Sequence, residues 1–340
     1  MVRFGIVGAG VISDCHAEGI TTTPGAELVA VCDIIREKAE ALAKKYNARK
    51  IYTDYNEMLR DPEIDAVSVC VPSGTHGEVV IAAARAGKHV FCEKPIEVTE
   101  EKMDEMIRVV ESTDVKVQCV FQLRIRKASQ KVKAALDSGI FGKVLMASAY
   151  LKYYRSPEYY KSAGWRATWE YDGGGCLMNQ GIHGVDLIAW LMGGIKKITA
   201  FTRTQLHDIA VEDAAVAAVE YANGAVGIIE GSTCCQPAQS PRFEIYCEKG
   251  SIIFDSETIS QWYLNGENQS CGSEDTKASA VANDDPTKVL TNEHGILVKD
   301  LVDCIENDTA PSISLRDAKS SVDAILAIYR SSKEGKIIKL

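Results

Sequence analysis

The sequence predicts an α/β protein in which a doubly wound parallel sheet is followed by an α+β domain with a large, mainly antiparallel open sheet. Three observations lead to this fold class. Over the first ~120 residues, short β-branched runs alternate with helical stretches, as in βαβ units. A glycine-rich turn follows the first of these runs. From Lys143 onward, the strand-like runs are joined by turn signals instead of helices.

Composition limits the class of protein. The chain has 340 residues, 46% hydrophobic and 25% charged, which is ordinary for a globular protein of about two domains. The formal net charge is -9, and no basic run is interleaved with aromatic residues, so nucleic acid is not an expected partner. No apolar stretch approaches the ~20 residues of a membrane span, and Met1 leads into a strand-like run without the apolar core of a signal peptide. We expect a cytoplasmic protein with no membrane partner.

The cysteine pattern also favours a cytoplasmic location. The sequence has 11 of them, most lie in apolar runs, as Cys70 and Cys92 do, and none form a C-x-x-C pair. We interpret them as small core residues in a reducing environment, and we expect no metal site.

The first domain should span residues 1–123. Its predicted strands are Phe4–Val7, Leu28–Cys32, Ala66–Val71, His89–Cys92 and Val115–Phe121. Its predicted helices are Ile12–Thr21, Arg36–Tyr46, Thr75–Ala86 and Glu100–Val110. A strand such as Ala66–Val71 is apolar almost throughout, as expected when helices cover both faces of a parallel sheet.

The second domain should span residues 124–314 and carry the substrate-binding and oligomerisation surfaces. After a helix, its predicted strands are Ile198–Thr204, Asp213–Tyr221, Ala225–Thr233, Arg242–Cys247 and Ser251–Phe254. Asn223-Gly224 predicts a hairpin between two of them. Residues 265–287, rich in Gly, Ser, Asn and Asp, predict an exposed excursion. Residues 315–340 should hold a final helix that can return to the first domain.

The run Asp213–Val219 indicates an oligomer. It lacks polar alternation, so both of its faces should be buried, one under helices and the other against a second subunit. A homodimer or homotetramer is therefore expected.

A dinucleotide site is indicated by the turn that follows the first strand and opens a helix. Gly8 and Gly10 allow a tight turn there, and the backbone N–H groups from Gly8 to Ile12, that of Val11 included, can approach a pyrophosphate. The third motif position is Ser13 instead of Gly or Ala, which should tolerate close helix packing slightly less well. The alternative is that the glycines merely make a βα turn.

Asp33 strengthens the dinucleotide interpretation. It ends the next strand, about 20 residues beyond the loop, where a carboxylate can accept hydrogen bonds from a ribose diol. Its charge favours NAD over NADP because it repels a 2′-phosphate. Arg36 could accommodate that phosphate, but it should lie on the solvated face of a helix. The alternative is that Asp33 caps a helix.

The loop Pro72–His76 follows another predicted strand at the carboxyl edge of the sheet, where such folds bind ligands. Pro72 and Ser73 are expected to border the cofactor, and Thr75 should cap the following helix together with Glu78 in a capping box. His76 either flanks the cofactor or is an ordinary first-turn residue.

Glu93-Lys94-Pro95 ends the strand His89–Cys92 at the same edge. The Lys94 ammonium could polarise a substrate hydroxyl or carbonyl, and Glu93 is expected at the cofactor. The alternative is an ion pair between Glu93 and Lys94 at the end of the strand, followed by a proline stop.

The run from Gly173 to Asp186 holds a second set of candidates. Asn179 and His183 are four residues apart, so on a helix they project from one face. Histidine has an ordinary pKa of about 6.5 and is suited to taking a hydroxyl proton at neutral pH. Asp186 could orient the imidazole or the helix. A buried histidine with satisfied hydrogen bonds is the alternative.

Taken together, these motifs are similar to those of a known family. The glycine loop with Asp33, Pro72 with His76, Glu93-Lys94-Pro95, Trp165-Arg166 and the run G-G-G-x-L-x-N-Q-G-x-H-x-x-D resemble the Gfo/Idh/MocA oxidoreductases, typified by glucose-fructose oxidoreductase and inositol dehydrogenase. The resemblance covers nearly the whole chain. It implies a Rossmann domain, a second α/β domain that often forms dimers or tetramers, and an NAD(P)-dependent redox step on a sugar, polyol or sugar nucleotide.

The resemblance also implies roles for residues. Lys94 matches the catalytic lysine of the family, His183 its acid/base histidine, and Trp165 and Arg166 lie beside the substrate. Asn179 stands where inositol dehydrogenase-like members have aspartate, which removes an ionisable relay and leaves a role in orienting the substrate. Gln122 and Arg124, which follow the strand ending at Phe121, are weaker candidates at the domain junction, and Tyr153 is weaker still.

The predicted reaction is oxidation of a secondary alcohol held by Lys94, Asn179 and His183. His183 removes the hydroxyl proton as hydride leaves the same carbon, and Lys94 stabilises the developing oxyanion. Two other classes remain open. One is a glycosidase that uses tightly bound NAD for transient oxidation, and the other is a non-catalytic sugar or nucleotide sensor on the same fold.

Overall fold

The computed structural model describes residues 1–269 and 293–340, which form two compact units. The first unit comprises Met1–Gln122 and, beyond the gap, the chain as far as Lys319. The second unit comprises the chain from Leu123 to the gap, together with Ser320–Leu340.

The first unit is built on a parallel six-stranded sheet. Its strands are β1 (Val2–Val7), β2 (Ala26–Cys32), β3 (Lys50–Tyr52), β4 (Ala66–Val69), β5 (His89–Cys92) and β6 (Val117–Cys119). They lie in the order β3-β2-β1-β4-β5-β6, and every pairing is parallel. The order reverses at β1, so the loops after β1 and β4 flank the topological switch point where such sheets bind ligands.

Helices connect these strands and supply the rest of the first core. They are α1 (Ser13–Thr22), α2 (Arg36–Tyr46), α3 (Tyr55–Leu59), α4 (His76–Arg85) and α5 (Glu100–Glu111). Strand β4 is buried along its whole length, as predicted from its apolar sequence. The doubly wound parallel sheet predicted for this half is confirmed.

The second unit contains a mixed nine-stranded sheet. Its strands are β7 (Val144–Lys152), β8 (Ile195–Arg203), β9 (Ala214–Tyr221), β10 (Val226–Ser232), β11 (Arg242–Cys247), β12 (Gly250–Phe254), β13 (Ile259–Leu264), β14 (Glu267–Asn268) and β15 (Ile338–Lys339). Their order is β14-β13-β12-β11-β7-β10-β9-β8-β15, and only β7 and β10 pair in parallel. The predicted hairpin joins β9 and β10, with Gly224 at a φ of 86°.

The second unit also contains helices, one of which, Ile182–Leu191, packs against β7. The helices are α6 (Lys127–Asp137), α7 (Pro157–Lys161), α8 (Ile182–Leu191) and the later part of α10 (Leu315–Glu334). Along β9 the buried residues alternate with exposed ones, among them Val216. One face of this run is therefore buried within the chain, and the other face, which was expected to meet a second subunit, is exposed in a single copy.

The side of β8 that faces away from β9 is bordered by α10 and β15. Ser331 and Ser332 of α10 accept hydrogen bonds from the backbone N–H groups of Ala200 and Thr202, at 3.0 and 2.8 Å. Beyond them, β15 pairs antiparallel with β8. Unpaired backbone groups along a strand can form hydrogen bonds with strands of other chains. The contacts with α10 and β15 give several of the β8 backbone groups partners within the same chain.

The units differ from the expected ranges near the C-terminus. A helix that the sequence pattern did not predict, α9 (Glu293–Asn307), belongs to the first unit, although this stretch falls within the expected range 124–314. Helix α10 begins in the first unit and continues in the second from Ser320. Most of the expected excursion at residues 265–287 lies outside the described residues. In the described part of the chain, no helix is long and apolar enough to cross a membrane.

Candidate active site

The glycine loop after β1 has the geometry of a phosphate-binding turn. Gly8 has a φ of 97°, and a Cβ there would lie 2.7 Å from the backbone of Cys70, so only glycine fits. At Gly10, by contrast, a Cβ would meet no protein atom within 4 Å. The protein itself does not demand glycine at this position, whereas a pyrophosphate approaching the backbone would.

Helix α1 begins directly after this loop. No side chain caps its N-terminus at Ile12, and Val11 beside it is exposed, so the positive end of the helix is open to an anion. Ser13 is buried, and its hydroxyl donates to the carbonyl of Gly10 at 2.5 Å. The departure from the glycine motif at Ser13 therefore adds a hydrogen bond within the turn.

Asp33 lies at the end of β2 and contacts the glycine loop. Its carboxylate accepts hydrogen bonds from the backbone N–H groups of Ala9, at 2.7 Å, and Ile35, at 2.8 Å. Arg36 is exposed on α2, where its Nε lies 2.8 Å from a carboxylate oxygen of Glu40. Asp33 thus places a negative charge beside the loop, while Arg36 is engaged along its own helix.

The loop after β4 is held by His76. Its Nδ1 lies 2.6 Å from the carbonyl oxygen of Pro95, and its Nε2 lies 2.8 Å from that of Val71. Burial lowers the pKa of His76. His76 is the first residue of α4, and its buried ring ties two loops at the carboxyl edge of the sheet.

The predicted capping box at the start of α4 is wrong. The side chain of Thr75 makes no capping hydrogen bond to the helix, and its hydroxyl donates instead to the carbonyl of Pro72, at 2.7 Å. Ser73 is buried in the 3-10 turn Ser73–Thr75 that precedes the helix. Within this turn, both the backbone N–H and the hydroxyl of Thr75 donate to the carbonyl of Pro72.

Glu93 and Lys94 follow β5 at the same edge. Glu93 is buried, and one of its carboxylate oxygens faces both His16 of α1 and His294 of α9. Its other oxygen accepts the backbone N–H of Lys94, at 3.1 Å. Sequence reasoning missed both histidines, because they lie 77 and 201 residues away along the chain.

In the second unit, the glycine run Gly173–Gly175 wraps the buried side chain of Glu212. A Cβ on Gly175 would lie 1.8 Å from the carbonyl oxygen of Glu212, so the residue must be glycine. The carboxylate accepts the backbone N–H groups of Gly175 and Leu177, at 2.8 and 2.9 Å, and the hydroxyl of Tyr329, at 2.8 Å. Burial raises the pKa of Glu212.

This run leads into a π-helical turn, Cys176–Gly181, and then into α8. Asn179 lies in the π turn and the partly exposed His183 in the first turn of α8. The two residues therefore do not share one continuous α-helix. π-Helical turns occur frequently at functional sites because they displace side chains from regular helical positions.

A polar network fixes the side chain of Asn179. Its Nδ2 donates to the buried carboxylate of Asp172. Its Oδ1 accepts the Nε2–H of Gln180, at 2.7 Å, and faces the Tyr159 hydroxyl at 3.4 Å. Asp172 was missed by sequence reasoning, and its position just before three glycines was the available signal. The network thus supplies a carboxylate next to the asparagine.

Asp186 and Arg124 form a buried ion pair in the second unit. Nε and one terminal nitrogen of Arg124 donate to the two carboxylate oxygens of Asp186, at 2.8 and 2.6 Å, and Ser321 donates to one of them at 2.7 Å. The bidentate pair joins the 3-10 turn Gln122–Ile125 to α8, and the hydrogen bond from Ser321 joins α8 to α10. Arg124 is therefore a structural residue in this unit, and the weaker candidate Gln122 ends the first unit.

Trp165 and Arg166 form an aromatic and cationic cluster with Tyr159. The guanidinium carbon of Arg166 lies 4.4 Å from the ring centre of Tyr159 and 4.7 Å from that of Trp165. It also donates to the Tyr159 hydroxyl, at 2.7 Å, and to Ser162, at 3.1 Å. Because Tyr159 also faces Asn179, the structure brings Arg166 and Asn179 into one network, whereas the weaker candidate Tyr153 is buried.

The two units therefore carry different sets of functional groups. The first has the loop, acidic residue and uncapped helix of a dinucleotide-binding fold. The second presents the amide of Asn179 on a π turn, the partly exposed imidazole of His183 on the helix that follows, and the guanidinium of Arg166, which joins the same network through Tyr159. A Rossmann unit followed by such a domain is the architecture of a nicotinamide-dependent oxidoreductase.

Comparison with known proteins identifies the family. Residues 2–121 match the oxidoreductase family Gfo/Idh/MocA, NAD-binding Rossmann fold, and residues 129–253 match the Gfo/Idh/MocA C-terminal domain. Inositol 2-dehydrogenase of Rhizobium meliloti is 32% identical over 263 residues, which are 75% of this chain and 76% of that protein. Myo-inositol 2-dehydrogenase of Thermotoga maritima is 29% identical over 279 residues, 80% of each chain.

A solved structure is similar over the whole chain. The WlbA dehydrogenase from Bordetella pertussis, in complex with NADH and UDP-GlcNAcA, is 33% identical, with a TM-score of 0.88 over 100% of this chain and 97% of that one. The chain belongs to the Gfo/Idh/MocA family of oxidoreductases. The resemblance found in its motifs is thereby confirmed, and the chain is an oxidoreductase with an NAD-binding Rossmann fold.

Proposed function

We propose that this enzyme transfers hydride between a nicotinamide cofactor and a secondary alcohol of a sugar, polyol or sugar derivative. In the oxidation direction the alcohol loses hydride from carbon and a proton from oxygen, and the products are a ketone, the reduced cofactor and a proton. The observation that carries the proposal is the rigid π turn that presents Asn179 ahead of His183, within a family whose named members include inositol dehydrogenases.

The roles of the residues follow from their chemistry. When bound, the nicotinamide supplies the hydride acceptor. We assign the proton to His183, whose imidazole is partly exposed at the start of α8. Lys94 donates a hydrogen bond to the oxygen on which negative charge develops. Asn179, held by Asp172, orients the hydroxyl by hydrogen bonding.

The cofactor is held by the glycine loop and the residues around it. Gly8, Gly10, Val11 and Ile12 border the pyrophosphate, and Asp33 binds the adenosine ribose. Pro72, Ser73, His76, Glu93 and Lys94 line the carboxyl edge of the sheet, of which His76 and Glu93 act through the loops that they hold. This assignment uses the open space at Gly10, which a pyrophosphate would fill.

We propose NAD as the preferred form of the cofactor, and Asp33→Ser tests it. Serine removes the charge that repels a 2′-phosphate, so the ratio of kcat/KM for NAD to that for NADP should fall by about tenfold or more. Steady-state kinetics with both cofactors measure this ratio. Glu40→Gln, which removes a nearby acid of α2 instead, should leave the ratio nearly unchanged. An unchanged ratio in Asp33→Ser would contradict the assignment.

We propose that the substrate carries an anionic group, which Arg166 binds. The guanidinium of Arg166 lies against two aromatic rings, and it donates hydrogen bonds to the neutral oxygens of Tyr159 and Ser162. A guanidinium held rigidly in this way is suited to binding a carboxylate or phosphate. UDP-GlcNAcA, bound in the Bordetella pertussis relative, contains phosphate groups of this kind. Trp165 contributes one of the two rings.

Two other functions remain as outcomes of the test. A glycosidase with bound NAD would release sugar without net reduction of the cofactor. A sugar or nucleotide sensor would bind without turnover, but a sensor has no use for the ammonium and the imidazole that this chain carries at Lys94 and His183.

The experiment is a cofactor-reduction assay. Purified protein is mixed with NAD or NADP and with inositols, neutral aldoses, sugar acids, UDP-sugars or aryl glycosides, and the near-ultraviolet absorbance of reduced nicotinamide is followed. We expect reduction of NAD with an anionic sugar. Reduction only with neutral polyols would refute the role of Arg166, and aryl release without cofactor reduction would refute the dehydrogenase.

We propose that two or four copies of the chain associate through the exposed face of the nine-stranded sheet. Phe201 and Val216 are paired across β8 and β9 on this face and are 71% and 49% exposed. Val226 and Met146 are paired across β10 and β7, and both are 50% exposed. Contiguous apolar residues on a sheet face are typical of protein interfaces.

Phe201→Glu tests this assembly. A charge at the centre of an apolar interface should lower the mass in solution toward that of a single chain, because the carboxylate would lose water without gaining a partner. Light scattering after gel filtration measures the mass. Leu206→Glu adds the same charge at a residue that is 61% exposed outside the strands, and the mass should not change. A wild-type protein of 37.0 kDa in solution would contradict the proposal.

We also place the enzyme in the cytoplasm. The thiols of Cys70 and Cys92 are buried in or beside strands of the first sheet, and burial raises the pKa of both well above its ordinary value. Such unreactive thiols are compatible with a reducing compartment.

A further inference from the structure

Three ionisable side chains meet inside the first unit. His16, Glu93 and His294 are 0%, 6% and 2% exposed, and we call them the Glu93 cluster. The Nε2 atoms of His16 and His294 lie 2.9 and 3.2 Å from the same carboxylate oxygen, Oε1 of Glu93. The two imidazole rings are 4.8 Å apart. The cluster joins α1, the end of β5 and α9.

The protonation states of the cluster follow from its geometry. An ionised carboxylate only accepts hydrogen bonds, so both histidines present Nε2–H to Glu93. Burial alone would raise the pKa of Glu93, but the hydrogen bonds from His16 and His294 outweigh it and hold the pKa well below its ordinary value. Burial also lowers the pKa of His16. An ionised Glu93 that accepts a hydrogen bond from a neutral His16 is consistent with both directions.

The remaining contacts agree with this assignment. Nδ1 of His16 lies 2.6 Å from the hydroxyl of Ser68, which can donate to it. Nδ1 of His294 is buried without a hydrogen-bond partner among the described residues. An unpartnered Nδ1 costs less free energy when it carries only a lone pair than when it carries a proton that has no acceptor. Both imidazoles are thus best satisfied as the Nε2–H tautomer.

The second oxygen of Glu93 connects the cluster to Lys94. Oε2 accepts the backbone N–H of Lys94, at 3.1 Å. The backbone N–H of Glu93 itself still bonds to the neighbouring strand, at the carbonyl of Val69. The chain therefore leaves the sheet between these two residues, and the carboxylate of Glu93 holds the first amide beyond the sheet.

We propose that His16 and His294 are positioning residues for Lys94. By donating to Oε1 they fix the carboxylate of Glu93 in the orientation in which Oε2 holds the Lys94 amide, and so they set the direction in which the Lys94 side chain leaves the sheet. This inference rests on the proposed function for the role of Lys94 and extends it to residues that do not touch the substrate. A misplacement of about 1 Å can cost about 100-fold in rate, so such positioning matters.

The same three groups could in principle hold a metal ion, since their ligand atoms lie within 4.8 Å of one another. The hydrogen bonds account for the cluster without one. Both Nε2 atoms are used as donors to Glu93, and Oε2 of Glu93 is occupied by a backbone amide. Metal content of the purified protein decides between the two, and a stoichiometric metal at this site would overturn the proposal.

The test compares His294→Leu with His294→Gln. Leucine fills a similar volume in the core but cannot donate a hydrogen bond to Glu93. Glutamine can place an N–H group near the position of the imidazole Nε2 and so can restore that hydrogen bond. In His294→Leu, hydrogen exchange of the Lys94 amide should become faster, and kcat should fall by about 10- to 100-fold while the Kd for NAD changes little. His294→Gln should restore slow exchange and most of kcat.

His89 offers a matched control at the other end of β5. Its Nδ1 accepts the backbone N–H of Lys116, at 2.9 Å, so His89→Leu also removes a partly buried imidazole from the same strand. We expect this variant to leave kcat and exchange at Lys94 unchanged. Equal losses in His89→Leu and His294→Leu, or losses in His294→Gln as large as in His294→Leu, would reduce His294 to a packing residue and overturn the proposal.

A double-mutant cycle separates the two levels of inference. If Lys94 is catalytic and His294 acts through it, His294→Leu should lower kcat in the wild type but have almost no further effect in Lys94→Ala. If Lys94→Ala leaves kcat unchanged, the proposed function of Lys94 fails. In that case only the hydrogen-exchange rate of the residue 94 amide tests whether His294 keeps the Glu93 carboxylate bonded to that amide. If Lys94→Ala is impaired but His294→Leu is not, the positioning inference fails and the role of Lys94 stands.

Discussion

Lys94→Ala should lower kcat by about 10²- to 10³-fold, the loss usual when a donor to a developing oxyanion is removed. The Kd for NAD should change by no more than about twofold, because the pyrophosphate and ribose contacts are assigned to the glycine loop and Asp33. Single-turnover kinetics would show the loss in the hydride-transfer step, and fluorescence titration with NADH would give the affinity.

Lys88→Ala is the matched control for this experiment. Lys88 immediately precedes β5, whereas Lys94 follows it, and the Lys88 ammonium donates to the carbonyls of Asp61 and Ile64. This variant removes the same kind of side chain from the opposite end of the strand and should retain kcat. A collapse of NAD affinity in Lys94→Ala with no separate loss of kcat would make Lys94 a cofactor-binding residue instead.

His183→Asn should lower kcat at neutral pH by about 10²- to 10⁴-fold, the range typical of a lost general base. Asparagine keeps a polar side chain that is shorter than the imidazole and has no basic nitrogen, so the start of α8 should remain intact while the base is lost. Part of the activity should return as pH rises, because hydroxide or a more basic solvent can then take the alcohol proton. A pH profile of kcat/KM from pH 6 to about 10 measures this recovery.

Gln180→Glu serves as the comparison for His183→Asn, since it alters the same segment without touching the imidazole. It should change KM through the Tyr159 network and leave the shape of the pH profile as in the wild type. Activity close to that of the wild type in His183→Asn at neutral pH would remove the histidine from the mechanism and leave the proton to another group.

The parts of the fold that depend on local sequence were predictable. The bounds of β5 and α2 match the apolar run and the helical pattern that predicted them, and the Asn223-Gly224 turn lies where its sequence placed it. Short edge strands were not predicted. β3 and β15 consist of 3 and 2 residues, too few for a periodic pattern, and they form because a neighbouring strand offers a partner.

The candidate site was predictable to the extent that its residues lie in short motifs. Lys94, Asn179 and His183 each stand in a motif that a single sequence displays. Asp172 and His294 do not, because their importance arises from neighbours in space. The π turn at Cys176–Gly181 was read as α-helix, since residue spacing alone does not reveal the extra residue in a helical turn.

The Glu93 cluster has a consequence for how the polypeptide is made. Synthesis proceeds from the N-terminus, and domains generally fold as they emerge from the ribosome. Here His294 follows Glu93 by 201 residues, and α9 completes the first unit only after the strands β7–β14 have been made. Until then, the nascent Rossmann unit holds an acid at its centre with half of its imidazole donors missing. The second sheet is likewise completed only when β15 has been made, so each unit depends on residues that are translated after β14.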